Sequence, residues 1–129
     1  MRKLTCLLLT ALLLVTAINA QSKKWKEMDE FHTVMSETFH PAEEGKLEPI
    51  KSRSQEMVDK AMAWVRSTAP EGYDKRAVNV SLKELLRGAK ELNSMVKANA
   101  TDKAITDKLS SLHDVFHTIM EKCEKEKHH

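Results

Sequence analysis

The stretch Ile105–Cys123, ITDKLSSLHDVFHTIMEKC, decides the fold. Its apolar residues recur at intervals of three and four positions: Ile105, Leu109, Leu112, Phe116, Met120 and Cys123. This period places them along one face of an α-helix, whereas a half-buried strand would show a period of two. The stretch therefore predicts an amphipathic helix that buries one face against other helices.

The residues that flank this last helix predict its ends. Thr101 or Asp102 is suited to cap the first turn, because a side-chain oxygen there accepts a hydrogen bond from a free backbone N–H group. At the other end, the stretch from Lys122 to His129 is mostly charged. We expect this charged C-terminal tail to fray.

Three earlier segments repeat the same spacing. The first stripe consists of Trp25, Met28, His32, Met35 and Phe39. The second consists of Leu47, Ile50, Ser54, Met57, Ala61, Trp64 and Thr68. The third consists of Leu82, Leu85, Ala89, Leu92 and Val96. Together with the last helix they predict four amphipathic helices.

Glycines and prolines mark the breaks between the segments: Pro41, Gly45, Pro49, Pro70 and Gly72. Pro41 predicts that the first helix ends at or near His40, because proline disfavours helical geometry in the residue before it. The third helix begins either at Ser81, which has capping-box spacing to Glu84, or near Asp74. Four helices with short connections predict an all-α fold, an antiparallel up-down-up-down four-helix bundle over residues 21–129.

The first twenty residues have the pattern of a cleaved secretory signal peptide. Arg2 and Lys3 precede an apolar run, and Ala20 supplies a small residue for cleavage, with Ala17 as the alternative. We therefore expect export, to a periplasm or to the outside of the cell. No later run is apolar enough to span a bilayer, so the mature chain has no predicted transmembrane segment.

Charge and cysteine content narrow the function further. The whole chain has 21 basic and 19 acidic residues, and loss of Arg2 and Lys3 with the signal peptide leaves equal numbers of each. A neutral domain is unlike a nucleic-acid-binding protein, which is clearly basic. Cys6 also leaves, so Cys123 is the single cysteine of residues 21–129 and allows no intrachain disulfide. Its place on the apolar stripe predicts burial, and a disulfide-linked dimer is the alternative.

Four histidines form two groups in the first and last helical segments. His32 and His40 lie in the first, and His113 and His117 lie in the last; His128 and His129 end the chain. An antiparallel bundle makes these two segments neighbours, and bundles build metal and cofactor sites between facing helices. The sequence therefore predicts a metal or haem site at the seam between helices one and four.

Three kinds of site fit these residues. Haem b takes axial ligands from facing helices, and Met28 with His117 supplies a Met/His pair. Copper suits Met28, Met35 and His32, because thioether sulfur favours Cu(I) and imidazole suits both copper states. Zinc or nickel suits His32, His113 and His117, because a His-x3-His pair presents both rings on one helix face. Methionine as ordinary core filler and exposed histidines without a ligand remain the alternatives.

The segment His40-Pro41-Ala42-Glu43-Glu44-Gly45 is a second group of potential ligands. Glu43 and Glu44 could join His40 in binding a cation that prefers oxygen ligands. Alternatively, the two acids favour the N-terminus of the next helix through its dipole. The sequence leaves both interpretations open.

The chain contains no pattern of an enzyme active site. A Ser/His/Asp set, a phosphate-binding glycine loop and a nucleophile elbow are all absent from the sequence. A cysteine buried among apolar residues is chemically inert. We therefore expect a binding protein or a metal-free helical interaction module rather than an enzyme.

The chain resembles the soluble periplasmic four-helix-bundle cytochromes, the superfamily of b-type bundle cytochromes and cytochrome c prime. The resemblance lies in Met28, the eighth residue after the signal peptide, and in His117 at the end of LSSLHDVFH. It implies an electron carrier that holds haem b between Met28 and His117 and serves a redox partner protein. The chain lacks Cys-x-x-Cys-His for covalent haem attachment. The additional histidines, among them His32 and His113, suggest a bundle that binds a bare metal ion instead.

Overall fold

The computed structural model describes residues 24–127, which contain four α-helices and no strand. The helices are α1 Lys26–Glu43, α2 Glu48–Arg66, α3 Lys75–Lys97 and α4 Asp102–Lys127. The all-α prediction is confirmed. The predicted signal peptide, residues 1–20, and the terminal His128 and His129 lie outside the described residues.

Each helix packs against two others. Helix α1 contacts α2 and α4, and α3 also contacts α2 and α4, which places the four helices around a common core. The largest buried side chains come from all four helices: Phe31, Met35, Ile50, Met57, Trp64, Leu82, Leu85, Leu92, Ile105, Leu109 and Phe116. The second, third and fourth predicted stripes supply most of this core, so the four-helix bundle is confirmed.

Helix α1 continues through Pro41, which corrects the predicted end at His40. Pro41 lies in the last turn, where the missing N–H group of proline removes only one helical hydrogen bond. The turn is then closed by backbone bonds from Glu44 N–H to the Pro41 carbonyl at 2.9 Å and from Gly45 N–H to the Ala42 carbonyl at 3.0 Å. Gly45 has a φ of +83°, a conformation that glycine adopts without strain.

Side-chain caps mark the N-terminal ends of α3 and α4. The Asp74 carboxylate accepts a hydrogen bond from Arg76 N–H at 2.9 Å, so α3 begins near Asp74, and Ser81 lies within the helix. The Thr101 hydroxyl oxygen accepts from Ala104 N–H at 3.1 Å, as predicted. The charged C-terminal stretch is helical as far as Lys127.

The buried face of α1 differs from its predicted stripe. The residues buried along it are Phe31, Val34, Met35, Thr38, Phe39 and Ala42. His32 is exposed and Met28 is only partly buried. Phe31 and Val34 are wholly apolar whereas the imidazole of His32 is polar, so burying the first two is favourable and His32 lies at the rim of the helix interface.

Aromatic rings fill the core between α1, α2 and α4. The ring centroids of Phe31 and Phe116 lie 5.4 Å apart, and Trp64 lies 5.7 Å from Phe31 and 5.9 Å from Phe116. These are ordinary distances for stabilising aromatic pairs. Cys123 is 5% exposed, which confirms its predicted burial.

Membrane crossing requires a long, apolar helix. Within residues 24–127, no helix has both the length and the apolar character to span a bilayer.

Candidate metal-binding site

A pocket with a volume of about 220 Å³ lies between α1 and α4. The residues lining it are His32, Met35, Ser36 and His40 from α1, and His113, Phe116 and His117 from α4. Four of the ligands predicted for the seam between helices one and four line this pocket: His32, Met35, His113 and His117. The fifth, Met28, does not line it. All four histidines of the two groups line it.

The pocket owes its histidines to helical spacing. On α1, His32, Ser36 and His40 recur every four residues, and on α4 His113 and His117 do the same. Residues four apart lie on the same face of a helix, so each helix presents one polar strip to the pocket. Met35 and Phe116, each 1% exposed, form its apolar inner wall. The repeat His32-x3-Ser36-x3-His40 was visible in the sequence and would have placed His40 in the site.

The imidazole rings of His113 and His117 lie close together, one turn apart on α4. Their Nε2 atoms lie 3.2 Å apart, and their ring centroids lie 4.4 Å apart. At this distance the Nε2–H of one ring can donate to the Nε2 lone pair of the other. A metal ion bonded to both nitrogens at about 2.0–2.1 Å would subtend an angle of about 100° between them. That angle is close to the tetrahedral value, and both rings would turn so that each Nε2 lone pair points at the ion instead of at the other ring.

The surroundings of His113 lower the pKa of its imidazole. Burial lowers the pKa of His113, and the neighbouring His117 lowers it further. Asp114 and Glu43 act in the opposite direction, and His40 adds to the lowering. A neutral imidazole has the free lone pair that a metal ion needs, so these contacts keep His113 available as a ligand near neutral pH.

The histidines of α1 are held less firmly. His32 is exposed, and its ring centroid lies 5.2 Å from that of Phe116. His40 is also exposed, and its Nδ1 lies 3.4 Å from Oε1 of Glu43. A carboxylate on Nδ1 leaves Nε2 of the same ring for a metal, as in many metal sites.

The side chains of the alternative cation site, His40, Glu43 and Glu44, do not converge on one point. Glu43 contacts His40, whereas Oε2 of Glu44 lies 3.5 Å from Nζ of Lys46. The two carboxylates therefore have different partners, and an oxygen-ligand site would require Glu44 to leave its lysine.

The metal ligand set is incomplete as the side chains stand. Among residues 24–127, no three His, Cys, Asp or Glu side chains are grouped closely enough to hold an ion. The His113–His117 pair supplies two ligands, and His32 and His40 line the same pocket. Exposed side chains change rotamer within picoseconds to nanoseconds, so a third imidazole can reach an ion held by the pair.

Two contacts concern the predicted haem site between Met28 and His117. Phe31 and Phe116 contact each other across the interface of α1 and α4. Met28 packs against the core and does not line the pocket. The pocket of about 220 Å³ has room for a single ion, and the Met28–His117 haem pair stays a prediction.

Comparisons with known proteins do not identify a relative. No family model, curated protein or solved structure matches the chain. The resemblance to bundle cytochromes therefore stays an expectation from the sequence, and the candidate site is interpreted from its own geometry.

Proposed function

We propose that this protein is an exported metal-binding module that handles or senses a transition-metal ion. His113 and His117 bind the ion together, and His32 or His40 completes the ligand set from α1. The observation that carries this proposal is the 3.2 Å distance between the two Nε2 atoms, which matches two ligands of one ion. The same distance also allows a hydrogen bond between the two rings, and metal titration distinguishes the two interpretations.

The composition of the pocket supports a transition metal over a hard cation. Calcium and magnesium are bound through carboxylate and carbonyl oxygen, and none of the residues lining the pocket is acidic. Imidazole suits zinc, copper and nickel. Because the pocket of about 220 Å³ is larger than one ion, water or an incoming ligand has room beside it.

The proposal includes the up-down-up-down topology and the export signal. The topology is supported by side-chain contacts that join a late position of one helix to an early position of its neighbour. These contacts are Glu37 to Arg53, Asn93 to Ser54 and Glu91 to Lys108. An N-terminal signal over residues 1–20 would direct the protein out of the cytoplasm, so the histidine site would bind its ion there.

Metal analysis and titration test the proposed function. The untagged mature protein is purified with His128→Ala and His129→Ala, because tail histidines also bind metals. It is then titrated with Zn(II), Ni(II) and copper. We expect one ion per chain, and we expect His113→Ala or His117→Ala to weaken binding at least tenfold. Asp107→Ala, a change on the exposed part of α4, is the control and leaves the affinity unchanged.

Two results would contradict the proposal. Unchanged affinity in both histidine variants would show that the ion binds elsewhere. A Soret band after addition of hemin, lost in Met28→Ala and His117→Ala, would instead support the haem-binding electron carrier that the sequence resemblance implies.

A further inference from the structure

We propose that the ion bound in this pocket is copper in the Cu(I) state, and that the thioether sulfur of Met35 is one of its ligands. This inference rests on the proposed function, because it names the ion for the same site. It adds a ligand and a metal preference that the histidine pair alone does not determine. Two features of the pocket favour this ion: the donors that line it and the apolar residues of its inner wall.

The donors of the pocket are imidazole nitrogens and one thioether sulfur. Imidazole nitrogen from His113 and His117 binds zinc, nickel and both copper states, so the pair does not discriminate among them. A thioether does discriminate, since soft sulfur ligands favour Cu(I) over the harder divalent ions. Met35 is the only sulfur-containing residue among those that line the pocket.

The position of Met35 suits a ligand at the inner end of the pocket. It is 1% exposed and still lines the pocket, so its side chain lies between the core and the histidines. It follows His32 by three positions, a spacing that places the two side chains on neighbouring parts of one helix face. An ion held by the His113–His117 pair would therefore have a thioether on its inner side and His32 nearby.

The apolar inner wall also favours a monovalent ion. Phe116 and Met35 remove water from one side of the pocket, and moving an unpaired charge away from water is unfavourable. No lining carboxylate offsets the charge of a dication. A monovalent ion with few neutral ligands loses less hydration, so Cu(I) is favoured here over Zn(II) and Ni(II).

The test compares Met35→Leu with the parent protein for two ions. Leucine conserves the volume of methionine and removes only the sulfur, so the core is retained. All proteins carry His128→Ala and His129→Ala. Cu(I) affinity is measured anaerobically against a competing Cu(I) chelator, and Zn(II) affinity is measured in parallel. Met57→Leu is the matched control, because Met57 is equally buried on α2 and does not line the pocket.

We expect Met35→Leu to lower Cu(I) affinity at least tenfold and to change Zn(II) affinity less than twofold. Met57→Leu should change neither. X-ray absorption of the Cu(I) protein should show a copper–sulfur distance that disappears in Met35→Leu. An unchanged Cu(I) affinity in Met35→Leu, or an equal loss for both ions, would overturn the Met35 assignment.

The two proposals fail in different ways. If His113→Ala abolishes binding of Cu(I) and Zn(II) but Met35→Leu affects neither, the metal site stands and only the sulfur ligand is refuted. If His113→Ala and His117→Ala leave both affinities unchanged, the proposed function fails and the copper assignment fails with it.

Discussion

The phenyl ring of Phe39 stacks face to face on the imidazole of His113, with centroids 3.9 Å apart and 12° between the ring planes. Phe39 belongs to the buried face of α1 and His113 lies on α4, so this contact connects the two helices that form the pocket. A stacked ring restricts rotation of the imidazole. The contact therefore orients His113 toward His117 before any ion arrives, which reduces the ordering that binding requires.

Loss of this stack should weaken metal binding. In Phe39→Leu the imidazole of His113 gains rotational freedom, and an aromatic pair contributes about 0.5–1.5 kcal/mol beyond its buried area. We expect affinity for Zn(II) or Cu(I) to fall about two- to tenfold. Phe31→Leu is the control, because Phe31 contacts the rings of Trp64 and Phe116 instead of a histidine. Equal losses in the two variants would mean that general destabilisation, rather than ring orientation, lowers the affinity.

The lowered pKa of His113 predicts how stability depends on pH. Its pKa is lower in the folded state than the unfolded value of about 6.5, so between these two values the unfolded chain binds more protons. Stability that is present above pH 6.5 is therefore lost as the pH falls toward the folded pKa. His113→Gln removes this contribution.

Urea unfolding of the metal-free protein at about pH 7.5 and pH 5 measures this effect. We expect the free energy of unfolding to decrease more on acidification in the parent protein than in His113→Gln. An identical decrease in both proteins would show that His113 does not titrate differently on folding. His32→Gln serves as the comparison, because His32 is an exposed histidine on the opposite wall of the pocket.

A buried polar contact joins α2 to α3. The Ser54 hydroxyl donates to Oδ1 of Asn93 at 2.8 Å, and Nδ2 of Asn93 donates to the Gln55 side chain at 2.9 Å. We expect Asn93→Ala to lower the free energy of unfolding by about 1–3 kcal/mol, because the buried Ser54 hydroxyl loses its partner. Gln55→Ala, an exposed change, should cost less than about 0.5 kcal/mol. Equal costs for the two variants in urea denaturation would contradict this assignment.

Gly88 allows α3 and α4 to approach each other closely. A Cβ atom at this position would overlap Cδ2 of Leu112, a residue that is itself buried. Overpacking costs about 1–3 kcal/mol, while alanine favours a helix over glycine by about 1 kcal/mol. Gly88→Ala should therefore lower the free energy of unfolding by about 1 kcal/mol.

The energetic coupling between Gly88 and Leu112 tests whether their close contact causes this loss of stability. Leu112→Ala should cost less in the Gly88→Ala protein than in the parent, because the new methyl group then occupies part of the vacated space. Additive costs in a double-mutant cycle would show that the two side chains do not meet.

Much of the fold is readable from the sequence. Most positions of the α2 and α3 stripes are buried because their apolar residues recur regularly. Thr68 lies beyond the end of α2 and is exposed, and Val96 is only partly buried. The stripe of α1 is misplaced because Met28, Phe31, Val34 and Met35 offer two overlapping apolar faces. Only packing against α2 and α4 selects between them. Pro41 gave a wrong helix end because proline in a last turn removes a single hydrogen bond.

The candidate site is readable only in part. Helical spacing and neighbouring helices were enough to bring His32, Met35, His113 and His117 to one pocket. The stack of Phe39 on His113 and the separation of Met28 from the pocket depend on the rotation of α1 about its axis. The sequence period determines that rotation only to within about one residue, or about 100°.

The central claim is that His113 and His117 bind one metal ion together. Nitrogen NMR of the imidazole rings, recorded while Zn(II) is added to the 15N-labelled His128→Ala/His129→Ala protein, tests this most directly. The account predicts that the Nε2 resonances of His113 and His117 shift together and stop changing at one equivalent of zinc. Shifts that saturate separately, or an absence of shifts at both residues, would contradict it.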